Sequence, residues 1–154
     1  MVKLWFCRSN DIGGWLIRLL TWSQWNHVAI EVNGYIYEAV TDGGVRRIHA
    51  RGYGDSWDDA QSVRVPVDDL GAVLLFLQNQ VGKPYDWRAL PAIPFRWTWQ
   101  HPHKWFCSEL AAKALMVGGR DVTSEKAYRV TPQDLSRVLM EGAAEAEVAQ
   151  SSPW

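Results

Sequence analysis

The sequence predicts an α+β fold, a small antiparallel sheet packed against helices, from three observations. Asn33-Gly34 sits between two apolar-rich runs, Asn26 to Val32 and Tyr35 to Val40. Both central positions of a two-residue hairpin turn require positive φ, which Asn and Gly tolerate best. The other strand-like runs lie in the first half of the chain, whereas the second half shows helical spacing bounded by an acidic cap and by Gly-Gly.

Taken in order, Val2 to Cys7 reads as a first strand with Cys7 in its core, and Asp11 can cap a short helix in which Trp15, Leu16, Leu19 and Leu20 share a face. The hairpin follows. Asp42-Gly43-Gly44 then turns into a strand near Val45 to Ile48, and a Gly- and Asp-rich loop from Arg51 to Asp59 leads to a strand around Ser62 to Val67. Asp68 or Asp69 caps a helix through Ala72, Leu75, Phe76 and Val81 that stops at Gly82-Lys83-Pro84. Residues 83–105 contain Pro84, Pro91, Pro94 and Pro102 and no period, so this stretch is expected to be a lid or binding surface. A helix from about Phe106 to Val117 closes at Gly118-Gly119, and Thr131-Pro132 opens a last short helix through Leu135 and Leu139. The expected organisation is one catalytic domain over 1–140 and a flexible Ala/Glu-rich tail over 141–154.

Composition narrows the function. The chain has 154 residues, 47% of them hydrophobic, enough for one sizeable core. A formal net charge of -1 supplies no basic face for nucleic acid. The opening MVKLWFCRSNDIGG lacks a signal-peptide pattern and Arg18 interrupts the apolar stretch from Trp15 to Trp22, so cytoplasmic synthesis with no integral membrane association is expected. In a reducing compartment the two cysteines, Cys7 and Cys107, are expected free rather than paired. Ten tryptophans are many for packing alone, and indole suits flat ligands such as sugar rings.

Chemistry concentrates at Cys107, which stands where a helical pattern begins. A thiol there meets the positive end of the helix dipole and unpaired N–H groups, both of which favour thiolate. Upstream, a two-residue Asn33-Gly34 turn pairs Val32 with Tyr35, Ile30 with Tyr37 and Val28 with Ala39. That register puts His27, Ala29, Glu31, Ile36, Glu38 and Val40 on one face, with His27 and Glu38 as diagonal neighbours. Small Ala29 is expected to let the start of the Cys107 helix approach this face, bringing the sulfur over His27. The roles follow: Cys107 is the nucleophile, His27 the general base and acid, and Glu38 the group that orients the imidazole. The backbone N–H of Cys107 is a candidate oxyanion donor.

At these residues the chain resembles the NlpC-type peptidase superfamily, specifically its circularly permuted branch, which includes YiiX-like hydrolases and lecithin:retinol acyltransferase-like enzymes. The matching pieces are His27-Val28-Ala29-Ile30, Tyr37-Glu38-Ala39, Gly82-Lys83-Pro84-Tyr85-Asp86-Trp87, Phe106-Cys107-Ser108-Glu109-Leu110 and Val130-Thr131-Pro132-Gln133-Asp134-Leu135. The resemblance implies a papain-like permuted NlpC-type fold with the nucleophile at a helix N-terminus and a triad of Cys107, His27 and Glu38. It also implies that Tyr85 lies near the nucleophile. Ala29 departs from the family's usual Gly, and the Trp-rich stretch before Cys107 has no family counterpart.

Within 83–105, Lys83, Arg88, Arg96 and Lys104 stand against Asp86, and a cationic, indole-rich mouth suits an anionic substrate bearing flat rings. Trp87, Arg88 and Trp105 are therefore expected substrate-binding residues, and the resemblance implies that Tyr85 joins them. His101-Pro102-His103 invites a zinc reading, but Pro102 keeps the two imidazoles from converging; Asp55, Asp58 and Asp59 lack the ligand order of a calcium loop. Neither metal nor cofactor is expected. The leading expectation is a monomeric cysteine amidase or endopeptidase acting on bacterial peptidoglycan stem peptides through an acyl-thioester, reaching the wall by way of a phage or secretion apparatus. The alternatives are a lipid deacylase, acyltransferase or thioesterase on the same scaffold, and a non-enzymatic wall-binding or virion module.

Overall fold

The structure is a computed structural model that describes residues 1–10, 23–85, 105–122 and 130–151, with side chains through 141. Five strands, β1 (Val2–Arg8), β2 (His27–Val32), β3 (Tyr35–Val40), β4 (Gly44–His49) and β5 (Asp59–Val65), form one antiparallel sheet in the order β4-β3-β2-β1-β5. Three helices follow among the described residues: α1 (Leu70–Gln80), α2 (Cys107–Val117) and α3 (Pro132–Ser151). This is the α+β class that the sequence predicts.

The hairpin forms in the expected register, Val32 against Tyr35, Ile30 against Tyr37 and Ala29 against Glu38. Its turn holds Asn33 at φ 50° and Gly34 at φ 79°, the left-handed pair that the residue types favour. Asp69 is the N-cap of α1, its Oδ1 accepting from the Ala72 N–H at 2.8 Å. Thr131 and Asp134 cap α3 reciprocally, Thr131 Oγ1 accepting from the Asp134 N–H at 3.1 Å while Asp134 Oδ2 accepts from the Thr131 N–H at 3.2 Å.

Two elements differ from expectation. β5 begins at Asp59, because β1 pairs with it along its full length from Val2↔Val65 to Arg8↔Asp59 and draws a polar stretch into the ladder. α3 continues to Ser151 instead of ending near Leu139, as Ala and Glu propagate a helix well. The helix expected after Asp11 lies outside the described residues, as do residues 86–104 of the expected lid.

Alternation along the strands builds two cores. On one face Leu4, Phe6, Val28, Ile30, Tyr37 and Ala39 pack with Leu77, Leu110, Ala111, Leu115 and Leu135 of the helices. On the other, Cys7, Ala29, Ile36 and Tyr53 form a smaller cluster covered by Trp5 and Trp57. The end of α1 is tied to β4, where Val45 N–H donates to the Lys83 carbonyl and Gly82 N–H to the Val45 carbonyl, both at 2.8 Å. Gly44 makes this approach possible: at φ 71°, a Cβ there would lie 2.1 Å from the Lys83 oxygen. Buried Gln80 completes the junction, its Oε1 accepting from Lys83 Nζ at 2.5 Å and from Trp105 Nε1 at 3.1 Å. Tyr85 and Trp105 form a parallel bridge, with Trp105 N–H donating to the Pro84 carbonyl at 3.2 Å.

Candidate active site

His27 is the first residue of β2 and Cys107 the first of α2. The hairpin register sets Glu38 diagonal to His27, and the side chains close the gap: His27 Nε2 lies 2.7 Å from Glu38 Oε2. With Nε2 engaged, Nδ1 is the ring nitrogen left for the Cys107 side chain, which lies near enough to His27 to interact with it electrostatically. All three predicted triad members therefore lie in one connected group. Glu38 is 0% exposed, Cys107 2% and His27 8%.

A carboxylate stripped of water must find its donors in the protein. Glu38 does so: Tyr53 donates its hydroxyl to Oε2 at 2.5 Å, and Arg46 reaches Oε1 through Nε at 2.8 Å and Nη2 at 2.7 Å. Burial pushes its pKa up, but the hydrogen bonds from His27, Tyr53 and Arg46 and the His27 charge prevail, holding it down at about 2. Burial likewise disfavours imidazolium, yet the nearby Cys107 side chain and the hydrogen bond to Glu38 override it and push His27 up to about 9. The arrangement favours a proton on the ring, between a sulfur and an anion.

The start of α2 is well anchored. Glu109 Oε2 accepts from the Phe106 N–H at 3.2 Å, and Ser108 Oγ donates to the Val130 carbonyl at 2.5 Å. The expected approach over Ala29 is corrected. α2 packs on the opposite face, against the side that carries Val28 and Ile30, while Ala29 lies in the second cluster. Larger apolar side chains on that face hold the helices, so sulfur and imidazole meet at the end of the sheet, where both elements begin.

Sequence reasoning missed three residues around this group. Arg46 stands opposite Glu38 in the β3–β4 register, a pairing that follows once the turn at Asp42-Gly43 is placed. Tyr53 and Trp57 come from the loop after β4, which has no periodicity to reveal them. Trp57 stacks on the imidazole at 5.0 Å between centroids and 14° between planes.

Among the expected substrate-binding residues, Tyr85 is buried with its ring 5.8 Å from that of Phe106, the residue before Cys107. Trp105 packs edge-on against Phe76 at 5.6 Å and donates its indole N–H to Gln80. Trp87, Arg88, His101 and His103 lie outside the described residues. A cavity of about 510 Å³ opens beside the imidazole stack, walled by Trp5, Tyr53 and Trp57 and edged by Asp55, Asp58 and Asp59. Two of these carboxylates have internal partners: Asp58 Oδ2 accepts from the Asn10 N–H at 2.7 Å, and Asp59 pairs with Arg8 at 3.3 Å.

No family model matches the chain, and no curated protein matches its sequence. Among solved structures, the fold is similar to that of YiiX from Escherichia coli O157:H7, with a TM-score of 0.61 and 21% identity over 80% of this chain and 69% of that one. The likeness shows a small α+β fold of the YiiX kind. YiiX is called a metalloprotein. Among the described residues of the present chain, no group of three or more His, Cys, Asp or Glu side chains is placed to hold an ion, so those residues do not fit a resident metal.

Proposed function

We propose that the chain is a cysteine hydrolase on a papain-like, permuted NlpC-type scaffold, cleaving an amide bond in bacterial peptidoglycan stem peptides. The observation that carries this reading is a single buried imidazole hydrogen-bonded to a fully buried carboxylate and close enough to a helix-start sulfur to interact with it electrostatically. In this reading the Cys107 sulfur, its proton held by His27, attacks the acyl carbon and forms a C–S bond. The C–N bond then breaks as His27 gives its proton to the departing amine. Water, deprotonated by His27, attacks the thioester; the C–S bond breaks and the carboxylic acid leaves. The N–H groups opening α2 are donors for the developing oxyanion, and Glu38 steadies the imidazolium.

A stem peptide carries both an amine and carboxylates. The excess of Lys and Arg over Asp within 83–105 suits the carboxylates. The test is incubation with digested peptidoglycan and mass spectrometry of the products. New fragments are expected, and Cys107→Ala or His27→Ala should lower their formation by roughly a thousandfold or more while the protein stays folded. Undiminished cleavage by folded Cys107→Ala ends the mechanism; turnover of acyl lipids alone reassigns the substrate.

A further inference from the structure

We propose that Tyr53 is a positioning residue for this site: its hydroxyl holds the same Glu38 oxygen that orients His27. The consequence for turnover rests on the hydrolase reading, whereas the geometry rests on the hydrogen bonds alone. Oε2 of Glu38 receives two donors, His27 Nε2 at 2.7 Å and the Tyr53 hydroxyl at 2.5 Å, while Arg46 occupies Oε1. Glu38 is fully buried, so no bulk water stands ready to replace a donor that is lost.

Behind Tyr53 stands Cys7, also fully buried and directly opposite His27 in the β1–β2 ladder. It shares the second apolar cluster with Tyr53. Burial and the Glu38 charge push the Tyr53 hydroxyl well above its ordinary range, so it keeps the proton it donates to Glu38.

Tyr53 has two effects in this arrangement. It fixes the rotation of the carboxylate, and it shares the charge that His27 would otherwise face alone. Removing the hydroxyl leaves Arg46 on Oε1 and His27 unaccompanied on Oε2, so imidazolium becomes more stable while the carboxylate is less firmly aimed.

The experiment is Tyr53→Phe, which keeps the ring in its edge contacts with Trp5 and Trp57, read by NMR titration of the His27 imidazole and by the pH–rate profile. The His27 midpoint and the alkaline limb of the profile should both move to higher pH by roughly half to one unit. Turnover should fall by about tenfold or more with KM unchanged. A His27 midpoint and pH limbs identical to the parent protein overturn the proposal. Should Tyr53→Phe fail to fold, Tyr53→Leu removes the same hydroxyl while keeping an apolar side chain, with an upward shift of the His27 midpoint expected and an unmoved midpoint counting against the proposal. A shifted midpoint in a protein that hydrolyses no acyl substrate upholds the positioning and removes the hydrolase reading instead.

Discussion

Cys107 and Cys7 carry the same side chain in opposite surroundings. Cys107 opens a helix beside an imidazole whose pKa is pushed up to about 9. Cys7 lies in the second apolar cluster with its thiol pushed strongly towards the protonated form by burial. Thiolate is the reactive species, so a thiol-directed alkylating probe near neutral pH should label Cys107 well before Cys7, as located by peptide mass spectrometry. Labelling in the reverse order would contradict the sulfur–imidazole pairing. Glu38 tests charge at the same scale. Glu38→Gln keeps a hydrogen-bonding group but loses the anion, and should lower turnover less than Cys107→Ala does. Glu38→Ala strands the buried Tyr53 hydroxyl and His27 nitrogen and should cost about 3 kcal/mol in denaturant unfolding.

At the level of elements, the helix cap and the hairpin show how much was legible. Asp69→Ala removes the acceptor for the Ala72 N–H and should lower stability by about 1 kcal/mol, checked by thermal or urea unfolding. That cap, the Gly-terminated helices and the Asn33-Gly34 turn are local chemistry written in adjacent residues. The contact between His27 and Glu38 was legible for the same reason: a two-residue turn sets the register, and the register sets the diagonal pair. Which face of the sheet the helices cover was not. Both faces of β2 carry apolar residues, and the choice depends on the loop that brings Tyr53 and Trp57 against Ala29, a segment with no period to read. Residues brought in by such loops escape pattern analysis because their partners are set by long-range packing.

Across the whole molecule, the buried pair links folding to pH. His27, raised from 6.5 to about 9, contributes stability that is complete below 6.5 and lost as pH rises through 9. Glu38, lowered from 4.5 to about 2, contributes stability that is complete above 4.5 and lost as pH falls through 2. Stability from this pair should therefore crest between the two ordinary values and decline on either side. Urea midpoints measured across the pH range would show it, and a profile that stays level through the alkaline arm would contradict the raised imidazole.

The bridge between Tyr85 and Trp105, locked by Gln80 and by the Pro84 carbonyl, has a consequence of another kind. It joins residues 85 and 105, the two ends of the intervening stretch, just ahead of Cys107. Once a clasp of this sort exists, doubling the length of what it encloses adds only about 0.6 kcal/mol of closure entropy. The framework therefore tolerates a longer or shorter stretch between residues 85 and 105 at little cost to its own stability.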